Sequence, residues 1–473
     1  MAQDEATITE LFRPMDEAEL GRKHWLTVFT AGMGFFTDAY DLFIIGTVTV
    51  LLTPIFHLST GQISLLNSIS LLASVAGALT FGKLMDRLGR KRMYGLEVAI
   101  LVAGAILSAF AWNFTSLFVF RILVGFGVGG DYATSAVITS EYANKKSRGR
   151  LIGTVFAMQG LGLMAGPLIA SIFLATGVPN DLAWRFMLGL GAIPAASVIY
   201  LRRKIRETPR YTLTVKGDVA TTAETVAWTT GAKPRLSGRP AVASATAAPT
   251  HRLTSKPFLL RLVGTAGAWF LMDIAFYGNS VSSPLILKSL QPHGSLLDHT
   301  LISLGIFAIA AFPGYWVAVW LMDRIGRKHI QWQGFLVMAL AFGAIALVPG
   351  AATDIPTFLG LFAISYFFIE FGPNQTTFVY PSEIFPTSVR GTADGISAAA
   401  GKFGAFLGAF FVPHLLKSFG ITGVMGVMAT VSVLGVLLTL VALPEPKGQT
   451  LEEASGELAG AVVTAPPAAA TGR

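Results

Sequence analysis

Cysteine is absent and charge is scarce: 13% of the 473 residues are Asp, Glu, Lys or Arg. Without cysteine there is no disulfide, no thiolate metal ligand and no cysteine nucleophile. The seven histidines fall into no H-E-x-x-H or other metal spacing, and no Ser/His/Asp set can be placed at one depth, so neither an enzyme nor a cofactor is expected. Soluble proteins carry roughly 25% charged residues. A soluble chain of this length would need about three domains with polar surfaces, and the charge for them is missing. What is present in excess is apolar: 53% hydrophobic residues and a mean hydropathy of +0.61. The chain reads as an all-α membrane protein embedded in a lipid bilayer.

A spanning helix needs about 20 mostly apolar residues. Apolar runs and breaks predict twelve: 24–52, 62–84, 93–112, 115–142, 150–175 and 182–201, then 259–288, 299–322, 329–349, 355–381, 391–416 and 420–443. With both termini placed inside, every Lys and Arg except Arg121, Arg185, Lys288, Lys402 and Lys417 lies in or beside a cytoplasmic segment. Cytoplasmic loops are where such an excess belongs. The net charge of +8 is therefore topological, and nucleic acid is not an expected partner. The first 23 residues hold six acids and no apolar core, so no secretory signal is expected and the first helix should act as an uncleaved insertion signal. The predicted organisation is a cytoplasmic segment 1–23, a six-helix half 24–201, a linker 202–257, a second half 258–443 and a cytoplasmic tail 444–473. Linker and tail lack apolar periodicity and read as unstructured, with one short surface helix expected after Arg206.

The halves repeat each other. Asp86-Arg87-Leu88-Gly89-Arg90-Lys91 follows the second span and Asp323-Arg324-Ile325-Gly326-Arg327-Lys328 the eighth. Glu141 precedes Arg148 after the fourth span, as Glu383 precedes Arg390 after the tenth. Two related halves are the pattern of a transporter that rocks around a central site. Gly89 and Gly326 permit a tight turn, and Asp86 and Asp323 can pair with arginines when the cytoplasmic side closes. These loops, with Arg87, Arg90, Glu141, Arg148, Arg324, Arg327, Glu383 and Arg390, are predicted to form a gate. The Gly82-x-x-x-Asp86-Arg87-x-Gly89-Arg90-Lys91 loop resembles the signature of the major facilitator superfamily. Pro381 through Thr387 and Pro444-Glu445-Pro446-Lys447-Gly448 are similar to its sugar and phosphate porters. The resemblance implies twelve helices in two pseudo-symmetric halves.

An ionisable residue at mid-bilayer costs roughly 2.5–3.5 kcal/mol by insertion scales. The predicted spans nevertheless contain Asp38, Asp41, Glu97, Arg121, Asp131, Asp273, Glu370 and Lys402. They should face an interior cavity, some as ion pairs. Asp38, Asp131 and Asp273 lie near the middle of their spans, where transporter sites sit. Trp269, Asp273 and Tyr277 share one helix face at i, i+4 and i+8. Gly125 to Gly130 contains a formal G-x-G-x-x-G, but no strand precedes it, so close helix packing is the better reading.

Phe36 to Asp41, Gly129-Gly130-Asp131-Tyr132, Trp269 to Gly278 and Phe371-Gly372-Pro373-Asn374 are similar to fungal and plant phosphate:proton symporters. Two positions depart: Ala133-Thr134 stands where that family usually has Pro-Leu, and Ser382 where it has Gly. The resemblance implies that Tyr132, Gln159, Trp269, Asp273, Tyr277, Asn374 and Lys402 line a site for inorganic phosphate. It also implies that Asp38 and Asp131, with Asp41, carry protons. Acids suit an anion site when protons are part of the load: a protonated carboxyl donates to a phosphate oxygen, and an ionised one accepts from P–OH. The expected function is inward phosphate:proton symport in a plasma or bacterial inner membrane. A proton-coupled sugar or organic-anion porter and a non-transporting nutrient sensor remain the alternatives.

Overall fold

The computed structural model describes residues 10–232, 234 and 253–457. Among these there is no strand. Eleven helical segments are long and apolar enough to cross a membrane; one of them, Asn180–Lys204, turns at residues 190–191. The last of them, Arg390–Ala442, is two helices joined at Gly420, whose φ of 66° breaks the turn. The twelve are α1 (Arg22–Phe56), α2 (Thr60–Leu88), α3 (Arg90–Ala109), α4 (Phe114–Tyr142), α5 (Arg148–Ala175) and α6 (Asn180–Lys204). They continue with α7 (Lys256–Val281), α8 (Leu296–Ile325), α9 (Arg327–Leu347), α10 (Ile355–Ile384), α11 (390–419) and α12 (421–442). Large apolar side chains cover the outside: Leu347 is 83% exposed, Val441 77% and Ile309 74%. Lipid suits such a surface on helices of this length.

Local rules place the ends. Ser59 caps α2 by accepting from the Gln62 N–H, Asn113 caps α4 through Ser116 N–H, and Asp354 caps α10 through Thr357 N–H. Gly89 alone joins α2 to α3, and Gly326 alone joins α8 to α9, at φ 101° and 97°. Only glycine takes such angles without strain. The two turns are the tight ones expected, and they match each other.

Small residues set the packing. Ser74 Oγ donates to Gly125 O at 2.9 Å and Ser70 Oγ to Arg121 O at 2.9 Å, so α2 lies directly on the glycine face of α4. Gly125 and Gly129 leave room for that contact. The halves meet where α2 runs along α11 and α5 along α8. A Cβ on Gly82 would stand 2.6 Å from Gly391 O across that seam. Two helix interiors are distorted: α8 has a π-turn at Phe307–Ala311, and α10 has one at Glu370–Asn374 with Gly372 out of helical geometry.

The expected linker and tail differ from the reading above. Residues Pro209–Thr214 and Val219–Thr230 are two helices, not one, and they pack onto the basic face of the molecule. Arg210 is buried there between Asp16 (2.8 Å) and Glu452 (2.8 Å). Burial pulls the Glu452 carboxyl up, but the Arg210 guanidinium outweighs it and holds the group below its usual range. The tail forms a helix at Leu451–Ser455, and Glu445 accepts from the N–H groups of Arg327 and Lys328. Polar, aperiodic segments become ordered here because charged partners from several elements meet on one surface. The remainder of the predicted linker (233 and 235–252) and of the tail (458–473), and residues 1–9, lie outside the described residues.

Candidate functional site

The first half gathers its buried mid-span charges into two clusters. Asp41 on α1 meets Arg121 on α4 at 2.6 Å. Arg202, in the last turn of α6, lies 3.0 Å from Glu97 on α3 and 2.9 Å from Asp131 on α4, with its guanidinium over the Tyr94 ring at 4.2 Å. Ser135 donates to the other Asp131 oxygen at 2.6 Å. Asp38, one turn before Asp41, is fully buried, and neither of its oxygens has a hydrogen-bond partner among the described residues. It lies within electrostatic reach of Asp131, Arg202 and Lys402. Of the three acids expected to carry protons, two are therefore engaged by arginines and one is not.

The second half meets the first at Lys402 on α11. Its ammonium lies 3.3 Å from Asp273 Oδ2, donates to Tyr277 Oη at 2.9 Å, and sits 3.9 Å from the centre of the Tyr132 ring. The Tyr132 and Tyr277 hydroxyls hydrogen-bond at 3.0 Å, joining α4 to α7 across the seam. Tyr132 also donates weakly to Gln159 Oε1 at 3.5 Å. Trp269, Asp273 and Tyr277 are all buried, and the Trp269 ring approaches Tyr132 to 6.1 Å. Asn374, on the distorted turn of α10, donates from Nδ2 to Tyr315 Oη at 2.9 Å and to Glu370 Oε2. Thus Tyr132, Gln159, Trp269, Asp273, Tyr277 and Lys402 form one cluster, and Asn374 belongs to an adjoining one with Glu370 and Tyr315.

Buried polar atoms normally find partners, so those left over are informative. At this interface Trp269 Nε1, Gln159 Nε2, Asp273 Oδ1, Glu370 Oε1 and both Asp38 oxygens make no hydrogen bond among the described residues. Donors and carboxylate acceptors thus converge together. That combination suits a ligand with both acceptor oxygens and O–H groups.

The predicted gate residues lie on the basic face. Glu141 accepts from Arg90 (3.1 Å) in its own half and Arg390 (3.0 Å) in the other. Glu383 accepts from Arg327 (2.7 Å) and, across the seam, Arg148 (2.8 Å). Asp86 accepts from the N–H groups of Gly391 (3.0 Å) and Thr392 (2.7 Å) at the start of α11. Asp323 does the same for Gly149 (3.1 Å) and Arg150 (2.7 Å) at the start of α5. Each acid thereby satisfies the free N–H groups and dipole of a helix from the opposite half. Arg87 and Arg324 do not join: neither forms an ion pair among the described residues, and Arg324 lies over Trp320 at 4.2 Å.

Arg202 is the residue that sequence reasoning missed. In Arg202-Arg203-Lys204 it resembles a flanking topological charge. One signal was available: away from their ends the spans held six acids against Arg121 and Lys402, so cations had to come from the span ends.

The family described as "Sugar (and other) transporter" matches residues 26–458. The chain is 38% identical to "Low affinity inorganic phosphate transporter 8" of Medicago truncatula, over 96% of this chain and 94% of that one. It is 36% identical to "Probable inorganic phosphate transporter 1-7" of Arabidopsis thaliana, over 97% and 96%. Among solved structures it is similar to the proton:xylose symporter XylE of the major facilitator superfamily, bound to 6-bromo-6-deoxy-D-glucose. The TM-score is 0.78 at 20% identity, over 92% of this chain and 98% of that one. A partially occluded inward-open form of the E. coli xylose transporter gives 0.71 at 19% identity, over 91% and 100%. The latter two likenesses concern the fold. The chain belongs to the sugar (and other) transporter family, with plant inorganic phosphate transporters among its relatives.

Proposed function

We propose that this transporter carries inorganic phosphate inward with protons by alternating access, in a plasma or bacterial inner membrane, with both termini cytoplasmic. The observation that carries the reading is the set of unspent groups around Lys402: N–H donors on Trp269 and Gln159 beside carboxylates on Asp38 and Asp273. Phosphate monoanion offers oxygens to the donors and P–OH groups to a carboxylate. Fully ionised sulfate has no such O–H, and a site built to pair with one rejects the analogue that lacks it. The high identity to relatives named as inorganic phosphate transporters supports the same substrate. Proton and anion binding reinforce each other when one neutralises what repels the other.

Proteoliposomes decide it. Phosphate uptake should rise on imposing an acidic exterior and should resist excess sulfate. Uptake that ignores the proton gradient, or counterflow with a hexose in place of phosphate, would overturn the reading.

The crossed contacts of Asp86 and Asp323 supply the cytoplasmic gate in this scheme. Capping interactions are each worth about 0.5–2 kcal/mol. Removing both with Asp86→Ala and Asp323→Ala should shift the gate toward opening by about tenfold. Because the chain has no cysteine, a single Gln375→Cys reports cleanly; Gln375 is buried and donates to Gly153 O across the seam at 3.2 Å. Its labelling by a permeant maleimide should accelerate by about that factor in the double variant. An unchanged rate would remove these acids from the gate.

A further inference from the structure

Glu370 has no part in the cation pairs described above. It is fully buried on α10, inside the π-turn that ends at Asn374, with Oε1 unpartnered. No Lys or Arg pairs with it among the described residues. The groups around it are Tyr315 on α8, Asp273 and Tyr277 on α7, and Tyr366 one turn earlier on α10. On α9, Gly334 packs against Gly372 and adds no charge. A buried acid without a cation is costly unless it changes protonation or serves a ligand.

The hydrogen bonds of Asn374 define what that change would do. Its Nδ2 spends both N–H bonds on Glu370 and Tyr315, and no group among the described residues donates to Oδ1. An ionised Glu370 can only accept, so it holds the amide with nitrogen inward and Oδ1 free. A protonated Glu370 can donate from Oε2, and the Tyr315 hydroxyl can rotate to donate as well. With the proton on Oε2 and the Tyr315 hydroxyl turned away from Glu370, both need an acceptor, and an amide flip supplies it in Oδ1. The same flip turns the two N–H donors outward. We infer that Glu370 is a positioning residue whose proton switches the Asn374 amide from an acceptor to a donor for the bound anion.

This inference rests on the phosphate reading and adds to it a second proton-linked group, on the half opposite Asp38. The proton that binds Glu370 comes from bulk water and returns to it. No covalent bond to the substrate changes. A donor amide favours an oxyanion, and an acceptor amide repels it, so external acid should tighten phosphate binding through Asn374.

The test is the KM for phosphate in proteoliposomes at an external pH of about 5.5 and about 7.5, for the native protein and for Glu370→Gln. A glutamine amide bonds Asn374 in either orientation at any pH. The native KM should rise about tenfold between the two conditions, and the variant's should change by less than about threefold. Should Glu370→Gln fail to transport, quenching of tryptophan fluorescence by phosphate gives the two affinities directly. A variant that keeps the native ratio, or a monodisperse variant that binds phosphate at neither pH, overturns the switch. Native protein that takes up no phosphate overturns instead the reading beneath it.

Discussion

Asp273→Asn should lower phosphate uptake by about 100-fold or more. Asp273 is the only carboxylate among the described residues within ion-pair distance of Lys402, at 3.3 Å, and both side chains are buried. Removing one partner of a buried pair costs about 3–5 kcal/mol, because a charge remains without compensation. Even half of that, expressed in the transport cycle, exceeds a factor of about ten. The loss should be larger still, since Lys402 also touches Tyr132 and Tyr277 and holds the two halves in register. A freed ammonium would bind the anion too tightly to release it, or would leave its present position. Asp273→Asn with Lys402→Gln removes both charges and separates the possibilities. The double variant should recover expression and monodispersity but not uptake. Uptake within about threefold of native in Asp273→Asn would remove this pair from the site.

Asp38→Asn should abolish accumulation of phosphate against its gradient while leaving phosphate–phosphate exchange within about threefold of native. Exchange needs the site to load, turn and unload, whereas accumulation also needs a proton to travel with the load. The three acids of the first half differ in their freedom to carry it. Asp41 is bonded to Arg121 at 2.6 Å and Asp131 to Arg202 at 2.9 Å. Asp38 alone of the three has both oxygens free of hydrogen bonds among the described residues. A buried carboxyl with no fixed partner can gain and lose a proton as water reaches it from either side. Asp41→Asn should behave differently: Arg121 is left buried and unpaired, so protein yield should fall before coupling does. Equal loss of exchange and accumulation in Asp38→Asn would make Asp38 a structural residue. Retained accumulation would exclude it from proton carriage.

Much of the architecture was legible from periodicity alone. Apolar runs of bilayer length are a local property, and they gave the twelve helices with ends displaced by a few residues. The Gly420 break was marked by the gap between the last two predicted spans. The stripe of Trp269, Asp273 and Tyr277 followed from helical spacing, and the repeated loops pointed to paired functions at matching places. The linker and tail were misread because their order comes from Arg210, Glu445 and Glu452 meeting partners distant in the chain. No window of sequence contains both members of such a contact.

By itself, the sequence determined the solvent, the number of spans, the twofold repeat and the set of residues with no place in lipid. Scarcity of charge does this, since each exception to an apolar span must have a partner or a purpose. Which exceptions had partners was decided only in three dimensions. Tertiary packing gave Arg121 to Asp41, Arg202 to Glu97 and Asp131, and Lys402 to Asp273. Among the described residues it left Asp38 and Glu370 without an ion-pair partner. Pairing depends on helix rotation and depth, which the packing of many side chains sets together, so composition could count these charges but not match them.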